Sequence, residues 1–213
     1  MLTEKELQIK SRERVTNHGE VFTAEREVNA MLDLVKNETQ RIDSCFLEPA
    51  CGNGNFLVKI LERKLKVVTD KYAKHQSEWE FYSLQALSSI YGIDILEDNC
   101  KECRNRLLDI FTENYTSLYK KRTKPQCILT ASYLLDKNII CGNALDLKTS
   151  DNTDIYFAQW SFTLPNKVKR IDYTMRDLIA TEPNSLFPDA QEVKRFPSTH
   201  FLKIKEAYES SEL

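Results

Sequence analysis

The chain has 213 residues, with 30 Lys and Arg against 32 Asp and Glu, a net charge of −2 and 41% hydrophobic residues. That length can bury a sizeable core, the charge excludes a global basic field for nucleic acid, and no apolar run approaches the ~20 residues of a membrane helix. Six cysteines without small-scaffold spacing, and a charged N-terminus (Met1-Leu2-Thr3-Glu4-Lys5-Glu6) without an apolar signal core, predict a cytoplasmic chain with free thiols and no membrane partner.

Residues 1–19 are polar and read as a short helix or arm, or as a solvated lead-in. Thr23 suits a helix N-cap, and Glu25 and Glu27 suit the positive end of the helix it starts. Val28, Met31, Leu32 and Val35 then fall on one buried face.

Next comes Phe46-Leu47-Glu48-Pro49-Ala50-Cys51-Gly52-Asn53-Gly54-Asn55-Phe56-Leu57. An apolar run meets an acidic residue, then a Gly-x-Gly bend, then a new helical pattern. The order is strand, ligand loop, helix. Glycines at 52 and 54 open backbone angles closed to other residues and leave room for a ligand, and the following helix aims its free N–H groups at that ligand. A plain strand-to-helix turn is the other reading. The dinucleotide fingerprint needs a third glycine where Leu57 stands, which disfavours a nicotinamide or flavin.

Phe56, Leu57, Ile60, Leu61 and Leu65 make the buried stripe of the first crossover helix, with Lys59, Arg63, Lys64 and Lys66 as its solvated side. Residues 69–80 are polar and 81–89 predict a short helical turn, so 66–89 reads as an insertion folded outward. The strand Ile90–Ile95 carries Asp94 near its carboxyl end, where a carboxylate can accept hydrogen bonds from ribose hydroxyls or simply start a helix. Cys100, Cys103, Leu107, Ile110 and Phe111 form the next helical stripe; with no second Cys-x-x-Cys or paired His, no metal site is expected. Lys120, Lys121, Arg122 and Lys124 read as a solvated helix end, with a phosphate contact as the minor alternative.

Residues 126–137 predict a helix with Leu129, Tyr133 and Leu134 inward, then a third strand, Asn138–Cys141, leading to Gly142-Asn143-Ala144. Beyond 150, Tyr156, Ala158, Trp160, Phe162 and Leu164 alternate as a half-buried strand, Pro165-Asn166-Lys167 turns, and Val168–Tyr173 returns as a hairpin. Thr174 suits the cap of a short helix, Lys167, Lys169 and Arg170 form a solvated basic spot, and the stretch from Pro183 onward, with Pro188 and Pro197, predicts an irregular, partly ordered tail.

The string Glu48-Pro49-Ala50-Cys51-Gly52-Asn53-Gly54-Asn55-Phe56 resembles the cofactor loop of S-adenosylmethionine-dependent methyltransferases, in particular the N6-adenine DNA methyltransferases of restriction–modification systems. The resemblance covers roughly residues 17–147. It implies an α/β fold with an incomplete Rossmann-like, doubly wound parallel sheet over residues 1–150, and a β-hairpin appendage over 151–213. It implies S-adenosylmethionine as cofactor, held by Thr23 beside the methionine carboxylate, Glu48 toward the ammonium, the loop Pro49, Ala50, Cys51, Gly52, Asn53 and Gly54, Asp94 on the ribose, Ile95 and Ala144 against adenine, and Asn143 on the adenine amine. The family commonly has Asp where Asn143 stands; an amide oxygen still accepts that hydrogen bond without the charge.

The family's catalytic loop, of Asn-Pro-Pro-Tyr type, is missing, since no Pro-Pro occurs in the chain. The expectation is therefore a cofactor-binding part truncated before that loop, with no catalytic residues of its own and with DNA bound through parts not present here. A non-catalytic nucleoside- or partner-binding module, and a fragment of a protein or RNA methyltransferase, are the alternatives.

Overall fold

The architecture follows from three short parallel strands, the first two of which lead into long helices and the third into a turn. The computed structural model describes residues 9–18, 20–163, 165–180 and 191–212. Helices α1 (Arg12–His18), α2 (Glu25–Leu34) and α3 (Lys36–Thr39) lead into β1 (Phe46–Glu48). Two helices, α4 (Asn55–Tyr72) and α5 (Gln76–Ser88), connect β1 to β2 (Ile90–Asp94). Two more, α6 (Glu97–Tyr119) and α7 (Pro125–Asn138), connect β2 to β3 (Ile139–Asn143). β1 pairs parallel with β2 in the register Phe46↔Ile90, and β2 pairs parallel with β3 in the register Gly92↔Ile139. Strand β4 (Lys148–Thr149) adds antiparallel to β3. The chain is thus an α/β protein with a mixed, mostly parallel sheet in the order β1-β2-β3-β4.

Side chains alternate across a strand, so β2 faces two ways. On one side α4 comes close enough that a Cβ on Gly92 would lie 2.9 Å from Leu57 and 3.0 Å from the Cys51 sulfur. On the other side Tyr91, Ile93 and Ile140 pack against Ile155, Phe157 and Met175. That second face is covered by an antiparallel sheet of β5 (Tyr156–Thr163), β6 (Lys167–Thr174), β7 (Glu192–Arg195) and β8 (Thr199–His200). Between β6 and β7 lies α8 (Met175–Ala180), and after β8 comes α9 (Ile204–Glu212). The hairpin forms as expected from the alternating pattern, and the Thr174 hydroxyl caps α8 by accepting from the Asp177 N–H at 3.0 Å.

Several expectations are corrected. α5 is a thirteen-residue helix, not a short turn in an outward insertion. Trp79, Leu84, Ala86 and Leu87 are fully buried in it, along with Glu80 and Ser83. A helix enclosed on all sides has no polar face, so its sequence shows no one-sided stripe. Lys64, read as solvated, is also fully buried: its ammonium donates to the carbonyls of Ile42 (3.2 Å) and Ser44 and to Ser89 Oγ (2.6 Å). On α2 only Val28 and Leu32 go inside; Met31 and Val35 are exposed, as is Leu129 on α7. The third strand runs on to Asn143 rather than stopping at Cys141.

The described part of the expected irregular, partly ordered tail is built into the core. Phe201, Ile204 and Tyr208 are buried in the same cluster as Leu61, Trp79 and Leu134. The Tyr208 hydroxyl reaches the carbonyls of Val168 (3.1 Å) and Pro197 (3.0 Å). Pro183 and Pro188 of that expected tail, Leu164 of the hairpin, and the N-terminal residues 1–8 lie outside the described residues. Among the described residues no helix is long and apolar enough to cross a membrane.

Candidate functional site

A cleft of about 510 Å³ opens beyond the carboxyl ends of β1, β2 and β3. Its floor is the loop between β1 and α4. Gly52 (φ 53°) and Gly54 (φ 88°) both hold left-handed backbone angles there, which an L side chain adopts only at a cost. A Cβ on Gly52 would also lie 3.1 Å from the Phe22 ring, so the loop and the segment before α2 meet closely and a side chain there would push that ring aside.

The loop is braced from every side. The Cys51 N–H donates to the Ile93 carbonyl at 2.8 Å, and the Gly54 N–H to the Cys51 carbonyl at 2.8 Å. Arg106 on α6 donates to the Asn53 carbonyl (2.7 Å) and to Asn55 Oδ1 (2.9 Å). Asn55 in turn donates to the Thr23 carbonyl at 3.0 Å. Asp94 ties the loop to β2: its Oδ2 accepts from the Gly52 N–H (2.9 Å), and its Oδ1 from the Leu96 N–H (2.9 Å) and Asn99 Nδ2 (3.3 Å). A carboxylate offers about four lone-pair positions, so Asp94 keeps one on Oδ2 for a ligand.

Thr23, Glu48, Pro49, Ala50, Cys51, Gly52, Asn53, Asp94, Ile95, Asn143 and Ala144 all line this one cleft. Gly54 does not. It is buried as the N-cap of α4, where a Cβ would sit 2.6 Å from the Cys103 sulfur, so its glycine serves helix packing rather than a ligand. Thr23 lines the cleft instead of capping α2, whose N-cap is Ala24. Asn143 closes its own turn: its Oδ1 accepts from the Leu145 N–H (2.9 Å) and its Nδ2 donates to Asp146 (3.0 Å).

Electrostatics differ between the acidic groups. Burial pushes the Glu48 carboxyl above its usual range, against a hydrogen bond from the Ala50 N–H. Burial also acts on Glu20, but there hydrogen bonds from Arg14 and Asn99 prevail and hold the carboxyl below its usual range. Cys51 is driven far up, first by its contact with the Cys103 thiol and then by burial, and burial pushes Cys100 up to about 12. These thiols are neutral and unreactive at pH 7. Among the described residues no group of His, Cys, Asp and Glu is arranged to hold a metal.

Sequence reasoning missed a polar lattice at the cleft's edge. Arg14 grips Glu20 through Nε (2.5 Å) and Nη2 (2.8 Å), and grips Asp98 through Nη1 (2.6 Å). The buried Asn99 side chain accepts from Lys10 (2.8 Å) and Arg14 (3.1 Å) and donates to Glu20 (2.6 Å). Lys10 also pairs with Glu102 at 2.6 Å. The N-terminal arm is therefore docked across the start of α6, not a solvated lead-in. Only partner spacing in three dimensions marks these residues, so one sequence carries no signal for them.

No family model, curated protein or solved structure matches the chain. The site's chemistry must carry any assignment. One observation bears on ligand fit: Asn53 lines the cleft, and its Oδ1 is buried with no hydrogen-bond partner. A buried acceptor without a donor costs roughly 1–3 kcal/mol. With the side-chain-free cradle at Gly52 and the open position on Asp94, these acceptors fit a ligand that brings N–H or O–H groups.

Proposed function

We propose that this cleft binds S-adenosylmethionine and that the chain is the cofactor-binding part of a DNA (adenine-N6) methyltransferase. The three parallel strands then begin a Rossmann-like, doubly wound sheet. One observation carries the reading: four stretches distant in sequence, around Thr23, Glu48–Asn53, Asp94–Ile95 and Asn143–Ala144, converge on one cleft at the strand ends. Ligands of open parallel sheets bind at that position. Asp94 would take one ribose hydroxyl through its remaining lone pair, and Ile95 and Ala144 would flank the adenine. Glu48 would face the ammonium, and Asn53 Oδ1 would gain its missing donor. When bound, the cofactor supplies a sulfonium methyl group; the residues of this chain hold and orient it.

A nucleoside-binding module without chemistry is the second reading. It is favoured by Asn143, whose side chain is engaged within its own turn.

Titration calorimetry with S-adenosylmethionine and with adenosine tests both. A charge-assisted hydrogen bond contributes about 1.5–3 kcal/mol, so Asp94→Ala should weaken both ligands by about tenfold to a hundredfold. Glu48, held protonated to higher pH by burial, favours a cationic ligand only when ionised. Affinity for S-adenosylmethionine should therefore rise as pH increases through the Glu48 pKa, while adenosine shows no such rise. Adenosine binding without a preference for the methyl donor supports the second reading. Absence of heat with either ligand refutes both.

A further inference from the structure

The end of the molecule away from the cleft carries a concentration of positive charge that the net charge of −2 conceals. α6 starts at the cleft with Glu97 and runs 23 residues, so its far end lies roughly 35 Å away. There the chain exposes Lys120, Lys121 and Arg122 in a single 3-10 turn. Lys120 holds a left-handed backbone angle (φ 51°), which ends α6 abruptly. Lys124 follows, partly exposed, and pairs with buried Glu80 at 2.6 Å. The C-terminal sheet adds Lys167, paired across the β6–β8 ladder with His200, and the next turn adds Lys203. Burial and then Lys167, Lys203 and Lys124 hold the His200 imidazole below its usual range, against Glu80, and the Thr130 hydroxyl of α7 donates to the Phe201 carbonyl at 3.2 Å, which ties this turn to the helix that follows Lys124. Among the described residues Lys120, Lys121, Arg122, Lys167 and Lys203 have no carboxylate partner.

A helix C-terminus favours a cation or two. It does not account for five unpaired ones drawn from three separate segments. We propose that this surface grips the phosphate backbone of duplex nucleic acid without reading its sequence. Lysines are compact point charges that suit phosphates without imposing bidentate geometry. Single strands are held by exposed aromatic platforms; at this end Tyr119 and Phe201 are buried, and the half-buried Tyr72 and Tyr82 rings stack on each other at 4.0 Å. The surface is distinct from the cleft, and the proposal does not rest on what the cleft binds.

The test is fluorescence anisotropy with a labelled duplex of about 20 base pairs and arbitrary sequence, over a salt series from about 50 to 200 mM. Each neutralised phosphate contributes about −0.9 to the log–log salt slope, so a slope of about −5 is expected. The double variant Lys121→Gln/Arg122→Gln should flatten the slope by about 2 and weaken binding on the order of 50-fold at 0.1 M salt. Lys36→Gln/Lys66→Gln, which removes the same charge from exposed positions elsewhere, should retain both the slope and the affinity. All four substituted residues are exposed, so the variants keep the fold. Absence of duplex binding at about 50 mM salt overturns the proposal. So does an equal loss in the control pair, or binding to anionic vesicles with none to duplex.

Discussion

Gly54→Ala is the most informative single change, because its cost separates into two parts. The first is conformational: at φ 88° an alanine pays the left-handed penalty, roughly 1–2 kcal/mol. The second is steric. The new Cβ would lie 2.6 Å from the Cys103 sulfur and 3.3 Å from Cys103 Cβ, inside the fully buried seam between the loop and α6. Overpacking of that kind costs about 1–3 kcal/mol. The sum, about 2–5 kcal/mol, is a large share of a domain's stability. Cys103→Ala removes the sulfur and leaves the backbone angle unchanged, so Gly54→Ala/Cys103→Ala should recover the steric part alone. Urea unfolding of the four proteins in the cycle should give a coupling of about 1–3 kcal/mol in favour of the double variant. Additivity within about 0.5 kcal/mol would show that the loop and α6 do not abut at this position, and the account of Gly54 as a packing glycine would fail.

Two further predictions concern the core. Burial holds the Lys64 ammonium down to about 8, below its unfolded value, so between pH 8 and the ordinary lysine range the unfolded chain binds more protons than the folded one. Across that window the parent should gain stability relative to Lys64→Met as pH rises, by at most about 1.4 kcal/mol per unit; a pH-independent difference in urea midpoints would contradict the burial argument. Tyr208→Phe removes the hydroxyl that donates to the Val168 and Pro197 carbonyls and should cost about 1 kcal/mol. Tyr208→Ala should cost about 3–5 kcal/mol by thermal unfolding. A near-neutral alanine variant would remove α9 from the core.

Much of the cleft could be read from the chain because its chemistry is contiguous. Glu48 to Asn53 is one unbroken string, and Asp94 follows an apolar strand that could hardly be anything else. The parallel strands were legible for the same reason: each is a short apolar run that stops at a turn or an acidic residue. What stayed hidden depends on partners far away in sequence. Glu80 looks like a surface residue until Lys124 and the Tyr115 hydroxyl are brought to it. Lys64 looks solvated until the carbonyls of Ile42 and Ser44 surround it. Asn99, Arg14 and Glu20 are ordinary polar residues in one dimension, and only docking of α1 across α6 makes them a lattice. Gly54 was assigned to the ligand because a glycine reports an angle or a close approach without saying what approaches.

The buried ring of Tyr208 has a consequence for synthesis. The helices from α4 to α7 share their interior with Phe201, Ile204 and Tyr208. A nascent chain displaying only the sheet and its crossovers would leave Phe81, whose ring meets Phe201 at 5.6 Å, partly uncovered at the ribosome exit. Completion of the interior must wait until residue 208 has emerged, and until then that apolar surface is available to chaperones or to aggregation.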